Sequence, residues 1–212
     1  MKRSTKTAII LALTVTLVLQ VFASAPAAAS EKKDAYKAYY NLIEELHNGV
    51  GTDYVFDRFK LIYLDDDDIP ELLAVDTPDD EYDNNGTNIY EVYTYSDGNA
   101  VMLGTYRSGV ASAGGYRGDT KYIKKSGKIY ETYISSGSGE GADIVYIMEE
   151  GEMKEVARGA FNIDGEKCEW KGKKVSESKY SVKLQKVFKL KKAKSFEDIK
   201  TISYKSMRKK LK

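Results

Sequence analysis

One histidine, one cysteine and one tryptophan stand in a chain of 212 residues. Cys168 has no partner for an intrachain disulfide. One histidine and one cysteine exclude an ordinary zinc site, which takes three or four such ligands. Nucleophilic catalysis is as poorly provided for, since no G-x-S-x-G occurs. His47 falls at the end of a helical stretch, where capping or solvation is the usual use of histidine. Three S-x-x-K matches exist: Ser30–Lys33 is a polar leader, Ser176–Lys179 reads as a helix cap, and Ser206–Lys209 lies in a basic tail. Gly137-Ser138-Gly139-Glu140-Gly141-Ala142 is no nucleotide-binding turn, because a strand pattern follows it where a helix is required. Cys168 and Trp170 share a short β-rich run and read as core.

Long apolar runs are missing as well, apart from Ala8–Val21. That run is shorter than the ~18–20 residues that span a bilayer. Lys2, Arg3 and Lys6 precede it, and Ala27-Ala28-Ala29 follows, so residues 1–29 read as a secretory signal peptide with the mature chain starting near Ser30. Pro26 disfavours cleavage after Ala25, and no cysteine is placed to carry a lipid. The expectation is a secreted, extracellular protein, associated at most with the cell wall and without a membrane span in its mature form. The signal carries three cations and no anion, so its loss takes the formal charge from +1 to −2.

The near-neutral total hides an asymmetry. Asp53–Asp83 holds twelve acidic residues against two basic, and Lys167–Lys212 holds seventeen basic against four acidic. Either the two ends attract each other or occupy opposite solvated faces, or each is kept for a partner of opposite charge.

Between these features the pattern is that of a β-rich α+β domain. Residues 34–48 predict a helix, with Tyr39, Leu42, Ile43 and Leu46 on one face and Gly49 and Gly51 as its stop. From Phe59 onward, β-rich runs alternate with turns. Strands are expected at Phe59–Leu64, Glu71–Val75, Ile89–Tyr95, Val101–Tyr106, Lys121–Lys124, Ile129–Ile134, Asp143–Met148, Met153–Arg158 and Lys167–Trp170. Ser96-Asp97-Gly98-Asn99, Lys125-Ser126-Gly127-Lys128 and Glu149-Glu150-Gly151-Glu152 are hairpin signals. Consecutive hairpins make an antiparallel meander of roughly seven to nine strands. Thr77–Asn88, Ser108–Thr120 and Ser135–Ala142 read as loops. Val175-Ser176 opens a second helix over 177–190, with Ser176 as cap and Val175 stapled to Tyr180. The layout is thus a signal peptide (1–29), one domain (30–190) and a basic C-terminal segment (191–212).

The richest stretch chemically is Tyr63-Leu64-Asp65-Asp66-Asp67-Asp68-Ile69-Pro70-Glu71-Leu72. Alternate residues of a tight loop aim oxygens inward, and calcium takes six to eight of them near 2.3–2.6 Å. The stretch resembles the calcium loops written D-x-D-x-D-G-x-x-[DE]-L in FG-GAP-type propeller blades. The whole layout, closing on Gly172-Lys173-Lys174-Val175-Ser176, resembles a group of exported domains of Gram-positive, clostridial-type bacteria. That resemblance brings a layout and no activity. It implies Asp65, Asp67, the Ile69 carbonyl and Glu71 as calcium ligands, with Asp66 or Asp76 as substitutes for a missing one. Tyr63 stands where the first aspartate belongs, and Asp68 where glycine would permit the sharp turn.

Three classes of function remain open. One is a non-catalytic secreted or wall-associated binding module, steadied by calcium and facing a wall polymer or a glycan. Exposed tyrosines would stack on sugar rings, and the basic end would meet an anionic polymer. The second is a small hydrolase using Asp65, Asp67 or Glu71. The third is a structural or inhibitory surface protein without a small ligand. A monomer is expected, and nothing points to nucleic acid.

Overall fold

The computed structural model describes residues 29–76, 86–111 and 115–212. The signal-peptide reading of residues 1–29 lies, but for Ala29, outside them. Helix α1 is described over 29–47. Ala35, Tyr39, Ile43 and Leu46 are its buried stripe, and the helix stops where Gly49 turns to φ +66°.

The sheet is the predicted antiparallel meander, in strict chain order from β1 to β10. Its strands are β1 (Arg58–Ile62), β2 (Glu71–Asp76), β3 (Thr87–Ser96), β4 (Asn99–Val110), β5 (Tyr116–Ile123), β6 (Lys128–Ser135), β7 (Glu140–Glu149), β8 (Glu152–Asn162), β9 (Cys168–Trp170) and β10 (Lys173–Val175). Among the described residues four turns place a non-glycine residue at positive φ: Asp97, Lys125, Glu150 and Lys171. In three of them glycine follows at once, at Gly98, Gly151 and Gly172, which is the pairing that two-residue hairpins demand.

Two of the expected loops are shorter than their glycine content implies. β4 continues to Val110 and β7 begins at Glu140, so only 111–115 and 136–139 separate the strands. The reason is local. Gly109 and Gly118 pair across β4 and β5, and a Cβ on Gly109 would lie 2.5 Å from the Gly86 carbonyl oxygen. On Gly118 it would strike the ring of Tyr116. These glycines serve close approach within strands rather than loop freedom.

Among the described residues β4 and β5 share two residue pairs, and there the sheet folds over on itself. Side-chain alternation shows the result. On β2, Leu72 and Ala74 face one core with α1, while Leu73 and Val75 face a second core with Tyr122, Ile129 and Phe196. On β6, Ile129 faces that second core and Tyr130 a third, which helix α2 (Glu177–Val187) covers. Strand β2 is therefore buried on both faces, which explains its unbroken apolar run. Ser176 caps α2 by accepting the Lys179 N–H, and Val175 packs in the same core as Tyr180.

The segment from 191 onward, set apart in the sequence by its charge, threads these cores. It forms β11 (Lys194–Ser195) on β5, β12 (Ile202–Ser203) on β1, and helix α3 (Tyr204–Leu211). Phe196 enters the middle core against Tyr90, Tyr106 and Tyr122, and Met207 and Leu211 enter the α1 core. Among the described residues the sheet thus has twelve strands. The extra ones, β10 to β12, have only two or three residues, too few to show periodicity.

Candidate metal centre

The loop between β1 and β2 is anchored at both ends. Glu71, the first residue of β2, is 1% exposed and accepts the Leu64 N–H at 2.6 Å. The Leu64 carbonyl accepts N–H groups of Ser126 and Gly127, both at 2.8 Å, from the β5–β6 turn. Within the loop, Asp65 accepts the Asp67 N–H at 3.2 Å and Asp67 the Ile69 N–H at 2.8 Å. Each aspartate thus folds the backbone two residues on, and each keeps oxygens free.

This brings together three of the four expected residues. One carboxylate oxygen from each of Asp65, Asp67 and Glu71 lies within 4.8 Å of the others, inside the about 4.6–5.2 Å that separates opposite ligands of one calcium ion. Asp66 and Asp76 do not belong to the group. Asp68 pairs at 3.6 Å with Lys125 and does not adopt positive φ, so the missing glycine costs no strain. The Ile69 side chain belongs to the α1 core.

Tyr63, in the place of the first aspartate, takes no part in the cluster. Its ring has the ammonium groups of Lys32, Lys124 and Lys125 at 5.5, 5.5 and 5.9 Å.

Burial raises the Glu71 carboxyl to about 8, against the relief given by Leu64 N–H and with added repulsion from Asp65 and Asp67. Burial, followed by the Asp67 charge, raises Asp65 to about 6. Ordinary carboxyls ionise near 4, so this group retains a proton at neutral pH that a bound cation would expel.

Beneath the loop lies a residue the sequence did not single out for the site. Tyr39 of α1 is 0% exposed, and its hydroxyl is the one buried side-chain polar atom among the described residues with no hydrogen-bond partner. Burial raises its pKa, and the charges of Glu71, Asp67 and Asp65 raise it further. Other buried acids differ: Asp143 accepts from Tyr130 and Tyr180 at 2.6 and 2.7 Å, and Glu91 accepts from Tyr93. Helical spacing puts Tyr39 on the buried face of α1, but nothing in the sequence says that this face meets the acidic loop.

The lone reactive residues are engaged elsewhere. His47 stacks on Tyr204 at 4.0 Å and lies 3.2 Å from the Phe56 carbonyl through Nδ1. Cys168 is buried and its thiol pKa is raised by burial. Trp170 is core, edge-on to Tyr180. No family model, curated protein or solved structure matches the chain.

Proposed function

We propose that the protein is a non-catalytic binding module that works outside the cell, its acidic loop closed by calcium. The observation that supports this is the convergence of Asp65, Asp67 and Glu71 above the unpartnered Tyr39 hydroxyl. Three acceptors facing one another repel until a cation or a proton separates them. Calcium tolerates irregular oxygen sets and completes them with carbonyls and water. The Ile69 carbonyl is the backbone ligand in this reading, and Tyr39 the partner of a coordinated water.

The spread between Glu71 and Asp65 resembles an acid–base pair and is the one feature favouring a hydrolase. At 1% exposure, however, Glu71 cannot touch a substrate. Its place is that of a ligand to a small ion.

Thermal unfolding of the protein in chelator, in millimolar magnesium and in millimolar calcium tests the reading. Calcium at a hundred times its dissociation constant adds about 2.7 kcal/mol. For a domain of this size that raises Tm by about 5–11 °C. The rise is expected with calcium, and is expected to vanish in Asp67→Asn. An unchanged Tm in all three solutions rejects the metal, and glycan or peptide turnover lost in Glu71→Gln without loss of folding establishes the hydrolase instead.

A further inference from the structure

We infer that a cleft beside the acidic loop binds a linear, phosphate-bearing polyanion. The inference rests on the binding-module reading and names the partner. The cleft has a volume of about 520 Å³ and runs between the end of β1 and the β5–β11 pair. Lys60, Lys124, Lys194 and Lys200 line it, with Tyr63 on its wall and Asp198 as its acid.

These lysines come from three separate stretches of the chain, with Lys194 and Lys200 on the same one, and the fold brings them together. β11 pairs with β5 through Lys194 and Tyr122. The Phe196 N–H donates to the Thr120 carbonyl at 2.9 Å, which turns residues 197–200 toward β1. The end of β5 is held to β1 by the Lys125 N–H on the Tyr63 carbonyl at 3.0 Å. None of the four lysines forms an ion pair among the described residues. The neighbouring acid Asp119 is already held, by Lys121 at 2.8 Å and by Ser195 at 2.6 Å.

Gathering unpaired cations costs self-repulsion that an anion removes. The cleft offers only lysine, a point-charge donor suited to phosphate, and no arginine fork of the kind that reads a carboxylate. Charge continues outward over the Tyr63 ring to Lys32, while Lys125 on the same ring is already paired with Asp68. That makes a track rather than a single anion pocket, and a chain of repeating phosphates satisfies it where one phosphate does not. A flat bilayer reaches the rim of a concave cleft but not its walls, so a polymer is favoured over lipid headgroups.

The test uses long-chain inorganic polyphosphate as probe and the full chain in three forms: parent, Lys60→Gln/Lys194→Gln/Lys200→Gln, and Lys205→Gln/Lys209→Gln/Lys210→Gln. The last changes the charge equally on the exposed side of α3. The cleft variant is expected to lose about tenfold or more in affinity, and its log-affinity slope against log salt to fall by about 2, at about 0.7 per phosphate contact. The α3 variant is expected to stay within about twofold of the parent. Equal losses in both variants, an unaltered cleft variant, or binding to phosphatidylglycerol vesicles without binding to polyphosphate would overturn the inference. A Tm of the cleft variant no lower than the parent's shows that folding is intact; a lower Tm moves the test to Lys194→Gln/Lys200→Gln, both exposed. The calcium shift, read on the same samples, separates the two proposals: polyphosphate can fail while calcium binds, and the reverse.

Discussion

Replacing Glu71 by glutamine separates the cost of a buried charge from the worth of a bound ion. In the folded protein this carboxyl titrates near 8 against an ordinary 4.5. Its folded pKa is raised, so the stability it contributes is fully present below about 4.5 and is lost as pH climbs through 8. At about 1.4 kcal/mol per pH unit, the loss across that window is about 5 kcal/mol. Glutamine keeps the oxygen that accepts the Leu64 N–H and cannot ionise. In chelator, the parent and Glu71→Gln are expected to be similarly stable at pH 4.5 in urea titration. By pH 8.5 the variant is expected to be several kcal/mol the more stable. Calcium narrows the gap: it displaces the proton, stabilises the parent at pH 8 by about 2.7 kcal/mol at a hundred times its dissociation constant and leaves the variant nearly unchanged. A difference between the two that does not vary with pH refutes the argument, because Glu71 would then be ionised or protonated throughout.

Tyr39→Phe removes a buried hydroxyl that has no partner and should stabilise the calcium-free protein by about 1 kcal/mol while weakening the calcium response, both read from urea midpoints. Phe196→Ala empties a site among three tyrosine rings and should cost about 3–5 kcal/mol by the same assay. Gly109→Ala forces a side chain to φ +122° and toward the Gly86 carbonyl. It should cost about 1–3 kcal/mol and speed amide exchange at Arg117 and Gly118 on the facing strand. Mass spectrometry of protein recovered from the medium of an expressing Gram-positive host should find a chain beginning at Ser30, and a chain found only in the cells with residues 1–29 retained would reject the export reading.

What was legible in the sequence was local. A helix stripe needs four residues, and a hairpin needs two runs and a turn such as Asp97-Gly98. All nine expected strands therefore exist, with ends that differ by up to five residues. The acidic loop was legible for the same reason, since Asp65, Asp67 and Glu71 lie within seven residues of each other. Whatever depends on where the sheet folds over was not legible. Gly109 and Gly118 mark the fold, yet in the sequence they read as part of a loop between Ser108 and Thr120. Phe196 is one aromatic residue in a lysine-rich tail, and only the core around Tyr90, Tyr106 and Tyr122 gives it meaning. Tyr39 was legible as core and illegible as part of the site, because its partner surface is twenty-six residues or more away in the chain.

The charge asymmetry of the sequence takes a different sense in three dimensions. If the acidic stretch and the basic end neutralised each other, ion pairs should join them. Among the described residues none does: Arg208 of α3 meets Glu44, and Asp68 meets Lys125, which lies outside the basic end. Lys194 and Lys200 instead turn into a cleft with Lys60 and Lys124, while Asp65, Asp67 and Glu71 face one another. Leu64 joins the two, with its N–H on Glu71 and its carbonyl on the turn that carries Lys125. Like charges gathered on both sides of one residue destabilise the fold that gathers them. Asp68 with Lys125 is the one ion pair across that short distance among the described residues, and it leaves the three clustered carboxylates and the four cleft lysines unpaired with each other. Left apart, they require counter-ions from solution, a small cation on one side and an extended anion on the other.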